Sequence, residues 1–186
     1  SDDPLAAVSG RGVIMSEAEY KAEFRRLTKI YEDEKKLAEK REGRPKRAPK
    51  GYEETLRGDP TEFPLPLDGK ITSRFGYRTH PTTGKRAFHN GIDIDGETGD
   101  AVKLPAAGVV TAVGVDPISG KFVVVDHGGG TKTSYSHLSR QNVSRGDVLE
   151  KGAVVGLVGS TGRSTGSHLH YKVMVNGKAV DPTKGL

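Results

Sequence analysis

From Phe63 to the C-terminus the chain is written in short apolar runs, each broken after a few residues by glycine, proline or aspartate. "KITS", "GIDID", "GVVTAVG", "KFVVVD", "TKTSYSH", "AVVGLVG" and "HLHYKVMV" follow one another in this way. Runs of this length, rich in Val, Ile and Thr, form strands rather than helices. Twenty of the 25 glycines lie at or after residue 63, where they can supply the turns. Asn176-Gly177, between "YKVMV" and "KAVD", is the pair that a two-residue hairpin turn prefers. Gly128–Gly130 predicts a second hairpin, between Phe122–Asp126 and Thr131–Tyr135. The expected fold is mainly β, a compact antiparallel sheet whose turns carry the function.

The first 62 residues have a different grammar. Residues 1–42 read as an N-terminal segment with a charged helix, dense in Glu, Lys, Ala, Arg and Leu. Ser16 and Glu19 form a capping-box pattern, and Tyr20, Phe24, Leu27 and Tyr31 trace one apolar stripe. A stripe this short predicts a helix that packs on the C-terminal domain or controls access to it. Residues 43–62 read as a Pro-rich basic linker, in which Pro45, Pro49 and Pro60 leave no room for a regular helix. Residues 63–186 form the expected folded domain. The net charge of +5 sits there, with 15 basic and 10 acidic side chains against 14 and 14 before it. That excess suits an anionic partner such as a cell-wall polymer. Nucleic acid is not expected, because no sheet face interleaves aromatics with cations and no basic recognition helix is present. No apolar run is long enough to span a membrane, and residues 1–30 lack the apolar region of a signal peptide. The chain starts at Ser rather than Met and reads as a mature or trimmed fragment, so any targeting segment, and any membrane tether or protein partner held through it, would lie outside this sequence.

Cysteine is absent, which excludes disulfides, thiolate metal sites and a cysteine nucleophile. Chemistry must therefore be sought among six histidines. His168 and His170 stand one residue apart in a strand pattern, so they share a face and Leu169 points the other way. Two imidazoles so placed can bind a metal, move protons or do neither. His89 precedes Asp93 by four residues in "HNGIDID", where Ile92 and Ile94 alternate with Asp93 and Asp95. Histidine and carboxylate together suit a borderline cation such as Zn²⁺, with Asp95 as a spare donor. His137 closes "TKTSYSH" at an expected strand end, on the face of Thr131, Thr133 and Tyr135. His80 and His127 lie in polar loop and turn text and read as structural or exposed.

"HNGID", "YSHL" and "GSTGRSTGSHLHY" together resemble the lysostaphin-type (LytM-like) zinc metallopeptidases, endopeptidases that cut the peptides of bacterial peptidoglycan. The resemblance extends through "RFGYR", "LPAAGVV", "VSRGDVLEKGAVVGLVGSTG" and "NGKAVDP", from about Phe63 to Pro182. It implies that His89, Asp93 and His170 bind one Zn²⁺ per chain and that His137 and His168 are unligated catalytic histidines beside it. It also implies an extracytoplasmic location, in the periplasm, in the cell envelope or secreted. Two neutral imidazoles and one carboxylate leave such a site at +1, and a water bound there ionises at a pKa of about 7. No H-E-x-x-H glutamate is present, so His137 or His168 must act as the base. The chain departs from the family at Lys172, where Glu or Gln is common. An inactive domain of the same fold, serving as scaffold or activator of another wall hydrolase, is the alternative. Such domains usually lose ligands, and this chain has them all.

Overall fold

The structure, a computed structural model, describes residues 48–79 and 83–183 together with the isolated helical positions Ala18, Ala22, Arg25, Lys29 and Asp33. The predicted N-terminal stripe of Tyr20, Phe24, Leu27 and Tyr31 lies outside the described residues, and so does His80.

The segment expected to be free of regular helix contains one. Helix α1 (Tyr52–Arg57) follows Pro49 and stops before a 3-10 turn at Pro60–Glu62. The prolines flank the helix instead of interrupting it, and between them the charges suit its dipole: Glu53 and Glu54 in the first turn, Arg57 in the last. Its Tyr52 and Leu56 press on Gly128, where any side chain would collide with the Tyr52 hydroxyl and the Leu56 methyl.

Among the described residues twelve strands follow: β1 (Ile71–Ser73), β2 (Gly76–Thr79), β3 (Arg86–His89), β4 (Ile92–Asp95), β5 (Ala101–Lys103), β6 (Gly108–Asp116), β7 (Gly120–Gly128), β8 (Thr131–Gln141), β9 (Val148–Leu149), β10 (Val154–Val158), β11 (His168–Val175) and β12 (Lys178–Val180). The fold is mainly antiparallel β, as the sequence predicts. The main path runs β1-β4-β11-β8-β7-β6-β9, with β12 on β11 and β10 bridging β8 and β5. Strands β2 and β3 form a separate two-stranded sheet that the sequence did not announce. Both predicted hairpins form. Asn176 and Gly177 take φ of 51° and 80°, and Val175 pairs with Lys178 across them.

One apolar core lies under the sheet. Ile92, Ile94, Val102, Val123, Leu169 and Val173 are fully buried in it. Alternation along β4 and β11 therefore does two jobs. Ile92, Ile94, Leu169, Tyr171 and Val173 go inward, and Asp93, Asp95, His168 and His170 are left on the other face. No helix among the described residues is long and apolar enough to cross a membrane.

Candidate metal centre

The antiparallel pairing of β4 with β11 sets His170 opposite Asp93 and His168 opposite Asp95. This is where the H-x-H and D-x-D patterns meet. His89 arrives from a different direction. It closes β3, and the turn at Asn90-Gly91 carries the chain on into β4. Gly91 allows the approach, since a side chain there would meet the Tyr171 carbonyl and lie 3.0 Å from His170 Cε1.

Three donor atoms converge. His89 Nε2 is 3.2 Å from His170 Nδ1, His170 Nδ1 is 3.0 Å from Asp93 Oδ1, and His89 Nε2 is 3.5 Å from the same oxygen. The outer nitrogens fix the tautomers. His89 Nδ1 faces the Arg74 carbonyl at 3.0 Å, and His170 Nε2 faces Asn90 Oδ1 at 3.2 Å. A carbonyl oxygen only accepts, so those outer nitrogens hold the protons and the inner ones present lone pairs. Two lone pairs and a carboxylate oxygen thus point at one spot, which is repulsive unless something positive sits between them. A tetrahedral zinc ion with bonds of about 2.0–2.1 Å holds neighbouring donors about 3.3–3.4 Å apart. The observed triangle of 3.0, 3.2 and 3.5 Å fits that ion, and the tied outer nitrogens are the usual support of a metal-binding imidazole. Asp95 is exposed and stands outside this group.

The electrostatics agree. Burial pushes the Asp93 carboxyl up, but with no metal bound the two imidazoles, whose inner nitrogens donate to it whenever they take up a proton, outweigh burial and hold the group far below the ordinary range. Burial lowers His89, yet Asp93 wins and the net shift is upward. His170 goes down, because burial exceeds what Asp93 restores and His89 and Lys172 add repulsion. The carboxylate thus stays ionised and draws positive charge to the spot where the imidazoles converge.

His168 and His137 flank the triangle. His168 Nε2 lies 3.7 Å from Asp93 Oδ1, and its Nδ1 donates to the Gly166 carbonyl at 2.9 Å, with Ser164 Oγ at 3.1 Å. The His137 ring centroid lies 4.8 Å from that of His168, tilted by 46°, and 6.3 Å from that of His170, edge to face. It does not end its strand, as the sequence suggested. Between Lys121–Leu138 and Val123–Tyr135 strand β8 carries one residue more than β7, a bulge in which His137 takes φ of 64°. The bulge breaks the predicted shared face with Thr133 and Tyr135 and turns the ring toward the site. Burial, with repulsion from His168 and His170, lowers its pKa to about 4 against the Thr161 hydrogen bond, so the ring is neutral at pH 7. All five sequence-predicted site residues therefore meet in one place. The residues not foreseen are those that orient them: Arg74, Asn90, Thr161, Ser164 and Gly166. The small polar text of "STGRSTG" just before H-x-H was the available hint for the last three.

Comparison with known proteins agrees with this geometry. The DD-carboxypeptidase/endopeptidase Mpg of Neisseria meningitidis serogroup B is 44% identical over 113 residues, 61% of this chain and 26% of that protein. The peptidoglycan DD-endopeptidase ShyA of Vibrio cholerae is 39% identical over 123 residues, 66% of this chain and 29% of that one. The chain thus spans between a quarter and a third of the length of these curated relatives. Among solved structures, a zinc-containing peptidase from Vibrio cholerae superposes with a TM-score of 0.62 at 38% identity, covering 64% of this chain and 38% of that one. The family model for Peptidase family M23 matches residues 87–182, just over half of the sequence and the stretch from within β3 to beyond β12, and the chain belongs to that family.

Proposed function

We propose that this protein is a zinc-dependent endopeptidase that hydrolyses peptide bonds in bacterial peptidoglycan, in cross-links or stem peptides. The observation that carries it is the triangle of His89 Nε2, Asp93 Oδ1 and His170 Nδ1, with both imidazole protons held on the far side. Zinc bound there supplies a Lewis acid for the peptide carbonyl and lowers the pKa of the attacking water. His89, Asp93 and His170 would hold the metal. His137 and His168 keep their protons on Nδ1, tied to the carbonyls of Thr161 and Gly166, and offer Nε2 to the reacting groups. One of the two accepts the water's proton at Nε2, and the Nε2–H so formed can then donate to the developing oxyanion or to the leaving amine. The side chains of His89, Asp93, His168 and His170 are 17–22% exposed, so the site is open to a polymer.

The substrate class rests on relatives named as endopeptidases and on the excess of cations in residues 63–186, which suits the anionic wall. On this reading the protein acts outside the cytoplasm. We read residues 63–186 as the peptidase unit, with the 1–42 segment and the 43–62 connector as its attachment. The test is digestion of purified sacculi followed by mass spectrometry of the released fragments. New termini at a peptide bond, lost on chelation and restored by zinc, are expected. A zinc-loaded protein that releases nothing would make the chain a wall-binding scaffold instead.

A further inference from the structure

His137 has an unusual support. Its left-handed φ of 64° is unfavourable for a non-glycine residue, and the bulge removes it from the regular ladder. Two elements far apart in sequence hold it in place. The turn from β6 to β7 supplies Ser119, whose carbonyl accepts from the His137 backbone N–H at 2.7 Å. That turn is itself tied by Asp116 Oδ1, which accepts from the backbone of Ile118 at 2.8 Å and of Ser119 at 2.6 Å. The loop before β11 supplies Thr161, whose carbonyl accepts from His137 Nδ1 at 2.8 Å.

Thr161 is bound more tightly than an orienting carbonyl needs to be. Its Oγ1 accepts from the Lys121 backbone N–H at 3.0 Å and donates to the Leu138 carbonyl at 2.6 Å. One side chain therefore joins β7, β8 and the loop. Beside it Gly162 lies directly on Gly120, each with positive φ, and a side chain on either would overlap the other's backbone. Arg163 N–H closes the contact on the Ile118 carbonyl at 2.9 Å. The turn that fixes the His137 backbone and the loop that fixes its ring are thus one unit.

We propose that Thr161 is a positioning residue for His137, and that with the Gly120–Gly162 contact it sets the tautomer and aim of that ring. The proposal rests on the peptidase reading only for its kinetic consequence. Removing both Oγ1 bonds lets the loop slide, the Thr161 carbonyl leaves Nδ1, and the proton is free to move to Nε2. Misdirected support of this kind costs about 10–100-fold in activity.

The test compares the zinc-loaded full chain with Thr161→Val and Thr161→Ser, which respectively delete and keep the two hydroxyl bonds. Ring nitrogen–proton correlation spectra should show His137 as a single Nδ1–H tautomer in the parent and in Thr161→Ser, and as a tautomer mixture with faster proton exchange in Thr161→Val. With a soluble cross-linked muropeptide, Thr161→Val should lose 10–100-fold in kcat at unchanged KM and zinc content, and Thr161→Ser should restore it. A single Nδ1–H tautomer in Thr161→Val, with kcat within twofold of the parent, overturns the proposal. If Thr161→Val does not fold, Asp116→Ala loosens the same unit through Ser119 and must speed exchange of the same ring proton; unchanged exchange there also overturns it. If even the parent cleaves nothing, the peptidase reading fails, while the tautomer comparison still decides the role of Thr161.

Discussion

His127 and His170 sit in strands of one sheet, and burial pushes both toward the neutral form. Their surroundings part them. At the end of β7, His127 is fully buried against Phe63, with ring centroids 5.3 Å apart. Its Nδ1 donates to the Ala107 carbonyl at 2.9 Å, and its Nε2 accepts from Thr133 Oγ1 at 2.7 Å. Both nitrogens have partners, and nothing is left for a ligand. At the β4–β11 ladder the outer nitrogen of His89, His137, His168 or His170 is likewise tied to a carbonyl-type oxygen, while the inner one faces the shared space. A buried, neutral histidine is thus a structural part when both nitrogens are satisfied. It becomes a functional group when one lone pair is kept free and aimed.

The largest expected effect attacks that difference directly. His89→Ala or Asp93→Ala should remove bound zinc and, with it, all measurable hydrolysis, because two donors do not hold the ion in an open site. His127→Ala should keep one zinc per chain. Elemental analysis of the three purified variants decides it, and zinc retained in the first two would end the ligand assignment. Next in size, His168→Ala and His137→Ala should keep zinc yet lose turnover by about 10²–10⁴-fold, the usual worth of a positioned acid or base. Parent-like rates in both would leave the proton transfers without a carrier. Smaller still, His127→Ala should lower stability by about 1–3 kcal/mol, since it takes the imidazole partner from the buried Ala107 carbonyl and leaves the Thr133 hydroxyl with Tyr135 alone. Urea unfolding of the metal-free protein measures this, and an unchanged midpoint would mean the ring is not the structural part described.

The same contrast explains what the sequence could and could not show. Asp93, His168 and His170 were legible because a strand has period two, and two such patterns facing each other must pair on one face. His127 read as structural or exposed; it is structural and not exposed, and its complete burial did not show, because the polar turn text around it says nothing of the Phe63 and Thr133 that cover it. His137 was legible as a residue type but not as a position, since a bulge is one extra residue set by the register of the partner strand. The oxygens that fix the tautomers were the least legible. Those of Arg74, Thr161 and Gly166 are backbone carbonyls, which every residue owns and no motif marks. Helix α1 was hidden for another reason: the density of prolines masked where they stand, at its two ends.

The smallest effect is a difference in pH dependence, and it tests the reference side of the comparison. In the unfolded chain His127 titrates near 6.5; in the folded protein burial lowers it, although the Ala107 hydrogen bond and the Asp126 charge oppose the shift. Between those two values the unfolded chain carries a proton that the folded one lacks. Stability therefore rises with pH through this window and falls as the solution is acidified below about 6.5, by at most about 1.4 kcal/mol per pH unit for this one group. Asp93 and His137 also favour unfolding in acid, but they titrate equally in the parent and in His127→Gln and cancel in the difference. Metal-free parent should thus lose more stability than metal-free His127→Gln between pH 7 and pH 5, as read from urea midpoints at each pH. Parallel curves would put a proton on His127 in the folded state. Its Nε2 would then be a donor instead of an acceptor, and the distinction between a satisfied ring and an aimed one would lose its reference point.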